Sequence, residues 1–284
     1  MPSLESAPLR IAQLSDIHCG HSRFDEDLME DTIAGINDLE PDVVVVAGDL
    51  TANAYDDEFE EAARWLDQIE GPKLTVMGNH DAKNVGHVLF ERHFGTRYPV
   101  VHIPFDDERS ARIEATGVTL VGVDSTEPDV TEGRVGSDRF GWMAEQFARE
   151  SDINVFVLHH HLVPLPGTGR ERNTAIDAGD VLALLTRLDV DIVLAGHKHT
   201  PWFWSLNGVL FSNSATASTG RLRGLTPASW HELRVDAAMI KVFTHYPGEG
   251  RDLSLIVDRT NRDRSQRMFY ITDSFLSHNQ LEAI

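Results

Sequence analysis

Val43-Val44-Val45-Val46-Ala47 runs without a break into Gly48-Asp49-Leu50-Thr51. Five apolar residues rich in β-branched valine are too short for a membrane span and read as a strand buried on both faces. Strands of that kind belong to parallel sheets, whose ligand crevices open at the strand C-termini. Gly48 and Asp49 therefore stand where a site is expected.

The neighbouring segments agree. Leu9–Leu14 reads as an earlier strand, and the helix near Phe24–Glu40 between them places Met29, Ile33 and Ile36 at i, i+4 and i+7. Residues 56–70 put Phe59, Ala62, Leu66 and Ile69 on one helical face, and Leu74–Met77 is again a short apolar strand. The order βαβαβ predicts a parallel sheet covered by helices. Further on, Ala111–Ala115 and Gly117–Val123 read as a hairpin, Asp138–Arg149 as a helix, and Val155–Leu158 and Ile192–Ala195 as buried strands around the helix Gly179–Leu188. From Pro201 the pattern turns β-rich. Trp202–Ser205, Val209–Ser212, Ser229–Val235 and Met239–His245 read as a meander closed by turns at Asn207-Gly208 and Asp236-Ala237. Residues 247–284 carry five arginines between 251 and 267 and show no clear period.

The chain of 284 residues has 25 Lys+Arg against 45 Asp+Glu, a net charge of −20. Residues 1–160 hold 12 basic and 32 acidic groups and residues 161–284 hold 13 of each, so the first half carries the whole imbalance. Long-range repulsion argues against wrapping duplex nucleic acid or lying on an anionic membrane. Four lysines and 26 aspartates fit a protein kept soluble in concentrated salt, and equally an ordinary acidic cytosolic enzyme. Cys19 is the single cysteine, so there is no thiolate cluster for zinc and any metal must be held by His, Asp, Glu or Asn. Met-Pro-Ser-Leu-Glu-Ser at the start has no basic n-region, and no apolar run approaches a membrane span; a cytoplasmic protein is expected.

Each parallel-type strand ends in polar residues of one kind. These are Asp16-Ile17-His18, Gly48-Asp49, Gly78-Asn79-His80-Asp81, His159-His160-His161 and Gly196-His197-Lys198-His199. If Asp16-Ile17-His18 is extended, its two polar side chains point to the same side. Singly, each cluster has a capping or turn explanation. Five clusters in this order, offering carboxylate, imidazole and amide, suit borderline divalent metals instead.

The stretches LSDIHCG (14–20), VVVAGDLT (44–51), VMGNHD (76–81), VLHHHLVP (157–164) and AGHKH (195–199) resemble the calcineurin-like metallophosphoesterases, and within them the class III cyclic-nucleotide and glycerophosphodiester phosphodiesterases. The resemblance implies an α/β fold, a four-layer α/β/β/α sandwich of two mixed β-sheets flanked by helices. It implies residues 1–246 as the catalytic domain and 247–284 as a C-terminal extension. It also implies two divalent metal ions, Fe, Mn, Zn or Co: Asp16, His18 and His199 on one, Asn79, His159 and His197 on the other, Asp49 bridging. Small phosphodiesters would be hydrolysed by in-line attack of a hydroxide bridging the metals.

His80 would face the substrate and donate a hydrogen bond or a proton, and Asp81 would orient an imidazole. The triplet departs from the family's usual His-His-Pro, which leaves His159 and His160 both open as ligand, with His159 preferred and His161 placed at the substrate mouth. His21 is a further candidate for substrate contact. Arg170, Arg172, Arg221 and Arg223, in glycine-bearing loops, are candidate phosphate contacts. A small phosphate ester is the expected partner, cyclic nucleotides leading. A nuclease or phosphomonoesterase of the same family, and a non-catalytic metal-binding scaffold for a protein partner, are the alternatives. The oligomeric state is left open.

Overall fold

The structure is a computed structural model that describes residues 8–149, 152–168, 174–219 and 226–279. Side-chain alternation along the strands sets its layers. In β1 (Leu9–Leu14) and β2 (Val43–Ala47), Leu9, Ile11, Val43 and Val45 face one apolar layer, while Ala12, Leu14, Val44 and Val46 face another. Strand β3 (Lys73–Val76) continues the parallel run, with Leu74 and Val76 in the first layer. The helices α1 (Glu26–Leu39), α2 (Asp56–Leu66) and α3 (Gly86–Phe94) cover the second layer through Met29, Ile33, Ile36, Phe59, Ala62, Leu66, Leu89 and Phe90. Asp25 starts α1 by accepting a hydrogen bond from the Leu28 amide.

The hairpin expected at 111–123 is corrected. Residues Asp107–Ile113 form the helix α4, begun by Asp106 accepting from the Arg109 amide, and its Ile113 closes the core. The partner of β5 (Gly117–Gly122) is β4 (Val100–Pro104), antiparallel to it. Strand β4 is a half-exposed edge that ends in proline, so it lacks the apolar pattern by which buried strands are recognised. Beyond it lie the 3-10 turn Ser137–Arg139, α5 (Phe140–Gln146), β6 (Ile153–Val157), α6 (Ala178–Arg187) and β7 (Ile192–Ala195).

The expected meander is divided between two sheets. Strands β8 (Trp202–Leu206) and β9 (Val209–Asn213) form a hairpin through Asn207-Gly208, both with positive φ, and join the second sheet. Strands β10 (Trp230–Val235) and β11 (Met239–Tyr246) return to the first, followed by β12 (Gly250–Asp258), β13 (Phe269–Ile271) and the helix α7 (Asp273–His278). Thus one mixed sheet has the order β13-β12-β11-β10-β1-β2-β3 and the other β4-β5-β6-β7-β9-β8. Valines and leucines from both sheets share one core, and α5 and α6 cover the outer face of the second. This is the four-layer α/β/β/α sandwich. Strands β1–β3 and β6–β7 end on one side of it, and the site lies there.

Candidate metal centre

Asp16 and His18 follow β1, Asp49 follows β2, Asn79 follows β3, His159 follows β6, and His197 and His199 follow β7. The backbone at five of these seven is left-handed: φ is 57° at Asp16, 56° at His18, 54° at Asp49, 77° at His197 and 53° at His199. Residues other than glycine take this conformation at a cost of order 1–3 kcal/mol each, and such strain collects at functional sites. Asp16-Ile17-His18 is therefore not extended. Two left-handed turns direct both polar side chains to the same space and send Ile17 into the apolar layer beneath the helices.

Neighbouring groups hold this backbone. The Asp16 amide donates to Gly48 O at 2.9 Å and the His18 amide to Asp49 O at 2.9 Å. From the far side, the Thr216 and Ser218 hydroxyls donate to the carbonyls of Asp16 and Ile17. Gly78 packs so closely that a Cβ there would stand 2.1 Å from Asp49 Oδ1.

The side chains form two groups that share Asp49. In the first, Asp16 Oδ1 lies 3.1 Å from His199 Nε2 and 3.8 Å from His18 Nε2, and the two imidazole nitrogens are 3.0 Å apart. Asp49 Oδ2 completes it, 3.8 Å from His18 Nε2. One ligand atom from each of these four residues falls within 4.8 Å of all the others. In the second group Asn79 Oδ1 lies 2.9 Å from His197 Nδ1 and 3.3 Å from His159 Nε2. Here the other oxygen of Asp49, Oδ1, faces His159 Nε2 at 3.4 Å.

Charge and burial favour a cation in both groups. Burial pushes the His18 imidazole down to about 3 and the His197 imidazole well below its ordinary value, so both present lone pairs. Burial would raise the carboxyls of Asp16 and Asp49, but His199 outweighs it at Asp16 and His159, with His80 and His18, outweighs it at Asp49; both stay ionised. At His159 burial is likewise overcome by the Asp49 and Asp16 carboxylates, which raise it to about 9. The carboxylates that draw a proton there would draw a metal ion more strongly. His159 Nδ1 is fixed on Ala47 O at 2.7 Å, which turns Nε2 toward the centre. Asp16 Oδ1, fully buried, accepts no hydrogen bond among the described residues. Two buried carboxylates, four imidazoles and one amide oxygen fit two divalent cations.

The other expected residues are placed as follows. His80 is half-buried at the edge of the centre; its amide donates to Asp49 Oδ1 at 2.8 Å, and its Nδ1 lies 2.8 Å from Ala52 O and 3.0 Å from Lys83 Nζ. No hydrogen bond reaches its Nε2 among the described residues. His160 is turned away, with Nδ1 on Ser125 Oγ at 2.9 Å and Nε2 on Thr131 O at 3.0 Å. His161 is buried with its ring 5.9 Å from that of His197. His21 lines the mouth, its ring 6.3 Å from that of His18. Arg170, Arg172, Arg221 and Arg223 lie outside the described residues.

Asp81 orients no imidazole. It accepts from the amides of Gly78, Leu50 and Thr51 and from the Thr51 hydroxyl, all within 3.1 Å, and so ties the loop after β3 to the loop after β2. Burial, followed by the Asp49 charge, raises its carboxyl to about 7. Sequence reading missed Arg23, Asn53 and Lys83, which line the mouth cleft of about 600 Å³ together with His21 and His80. Lys83 carries a visible signal, one of four lysines standing three residues from His80.

Residues 9–201 match the family model described as calcineurin-like phosphoesterase. A protein named as a probable cyclic nucleotide phosphodiesterase from Synechococcus is 22% identical over 197 residues, 69% of this chain and 72% of that one. A protein named as a probable glycerophosphodiester phosphodiesterase from Arcobacter nitrofigilis is 24% identical over 223 residues, 73% of this chain and 78% of that one. Among solved structures, a dimetal phosphatase from Danio rerio superposes with a TM-score of 0.63 at 12% identity, covering 93% of this chain and 99% of that one. GAP50, the anchor in the inner membrane complex of Plasmodium, gives 0.65 at 13% identity, covering 87% and 88%. With the family model spanning more than half of its length, the chain belongs to the calcineurin-like phosphoesterases and is a hydrolase of phosphate esters.

Proposed function

We propose that the protein is a binuclear metal-dependent phosphodiesterase acting on small diesters, cyclic nucleotides among them. The observation that carries this reading is Asp49, whose two carboxylate oxygens face two separate groups of ligand atoms. Asp16, His18 and His199 would hold one ion, Asn79, His159 and His197 the other, with Asp49 between them. When bound, the two cations polarise the phosphoryl oxygens and lower the pKa of water.

The chain's own residues do the rest. His80 is tied to the bridging carboxylate through its amide and held at Nδ1, so Nε2 meets the phosphoryl group at the edge of the centre and donates to a phosphoryl oxygen or to the departing alkoxide. Lys83 and Arg23 in the mouth attract the anionic ester, and His21 lies beside them. In this proposal residues 1–246 carry catalysis. Strands β12 and β13, from the segment after residue 246, extend the same sheet at the edge away from β2 and β3. The named activities of the Synechococcus and Arcobacter relatives support a diester substrate.

Elemental analysis should find close to two transition-metal ions per chain. A panel run with Mn²⁺ on bis-p-nitrophenyl phosphate, p-nitrophenyl phosphate, cyclic AMP, a glycerophosphodiester and single-stranded DNA should favour the small diesters. Preference for DNA would make it a nuclease, and absence of hydrolysis with both metals bound would make it a scaffold.

A further inference from the structure

A second cleft, of about 660 Å³, opens beside the mouth. That volume suits a nucleoside-sized group. Asn84 stands between the two clefts: it lines the second, and its side-chain amide donates to Asn53 O in the wall of the first. Asn84 is four positions after His80, so the near wall is at most about 14 Å of chain from His80.

Three guanidiniums line this cleft, a quarter of the 12 basic residues in the acidic half of the chain. Arg97 is fixed, with Nη1 on Asp124 Oδ2 at 2.7 Å and Nε on Glu91 Oε1 at 2.9 Å. The Asp124 carboxylate is 2% exposed and also accepts from the Thr126 amide and hydroxyl, so its charge is turned inward. Arg139 lies over the Tyr98 ring at 4.2 Å, and Tyr98 stands edge-on to Trp142. Arg134 is exposed and makes no side-chain hydrogen bond or ion pair among the described residues. Of the other acids, Asp138 is 3.9 Å from Arg139 and Glu127 lies exposed at the rim, where water screens it. Val85 and Val88, each 64% exposed, add an apolar wall.

A pre-positioned guanidinium, an unpaired one and an arginine–tyrosine stack are the elements that recognise a phosphate attached to a planar ring. Resting on the phosphodiesterase reading, we propose that this cleft holds a phosphate other than the one being hydrolysed. The preferred substrate is then a small diester, one of whose arms carries both a ring and a terminal phosphate of its own, in preference to a polynucleotide.

Two chromogenic diesters with the same leaving group test this on the Mn²⁺-loaded full chain: thymidine 3′-phosphate 5′-(p-nitrophenyl phosphate), and thymidine 5′-(p-nitrophenyl phosphate), which lacks the second phosphate. The first should show a kcat/KM at least about tenfold higher, the effect of one charge-assisted contact, carried mainly by KM. Arg134→Ala should bring the ratio to within about twofold. Equal kcat/KM for the two esters, or a preference that survives in Arg134→Ala with Arg139→Ala, overturns the proposal. Calorimetric titration with thymidine 3′,5′-bisphosphate separates this from failure of the catalytic reading. If no ester is hydrolysed but Arg134→Ala weakens the bisphosphate about tenfold, the cleft stands and the catalytic reading falls. An unchanged Kd overturns the cleft. Non-competitive modulation of bis-p-nitrophenyl phosphate turnover by inorganic phosphate, lost in Arg134→Ala, would assign the cleft to a free anion and also overturn it.

Discussion

At Asp49 a single side chain faces both groups of ligand atoms. Asp49→Asn keeps the shape and the acceptor for the His80 amide but removes the charge that both groups share. Turnover should fall by about a thousandfold or more, equivalent to roughly 4 kcal/mol of barrier. Metal content per chain should drop with it while the far-ultraviolet circular dichroism is unchanged; two tightly held ions in this variant would refute a bridging role. Gly78→Ala tests the packing instead. Its Cβ would drive into Asp49 Oδ1 and the Asp49 amide, so both stability and metal binding should be lost, with a melting temperature several degrees lower. The seven residues brought together here stand out in the sequence because each cluster follows an apolar run, although the choice between His159 and His160 does not. The left-handed backbone beneath five of them is not legible there, since aspartate and histidine carry no mark of it.

Among the elements, the buried strands are legible from valine and isoleucine, whereas β4 and α4 depend on what lies beside them. The same holds for the contacts between sheets. Gln13 on β1 reads as one polar residue in an apolar strand, yet its amide donates to Ala195 O and Ser212 O across the core, while Ser212 Oγ donates back to Gln13 Oε1. With that hydroxyl hydrogen used, His231 Nδ1 on β10 donates to Ser212 Oγ at 2.9 Å, and Nε2 is left buried without a partner among the described residues. Burial lowers this imidazole from 6.5 to about 3. Between those values the unfolded chain takes up a proton that the folded chain refuses, so stability is complete above pH 6.5 and falls as pH drops toward 3. The slope reaches at most about 1.4 kcal/mol per pH unit. His231→Gln should flatten it, read as the difference in unfolding free energy between pH 7 and pH 5; an unchanged slope would refute the assignment. His160 and His161, both lowered to about 3 mainly by burial, share the sign.

For the molecule as a whole, the excess charge of −20 is a repulsion that salt screens. The melting temperature of the metal-loaded protein should rise between 0.05 and about 2 M KCl if the acidity is an adaptation to salt. A flat or falling curve would favour an ordinary acidic protein. The overall architecture is legible as a parallel sheet followed by β-rich segments. The division of those segments between two sheets is not, because a hairpin pattern names each strand's neighbour and not the sheet it joins. Among the described residues, no helix is long and apolar enough to cross a membrane.

Because Asp16, His18, Asp49 and Asn79 come from one sheet and His159, His197 and His199 from the other, the centre also has an order of assembly on the ribosome. His199 is synthesised 120 residues after Asn79, a delay of roughly 6–24 s at ordinary elongation rates. Until then Asp16, His18, Asp49 and Asn79 lack the three imidazoles that the structure sets against them, so the full constellation of seven residues exists only once the second sheet has formed.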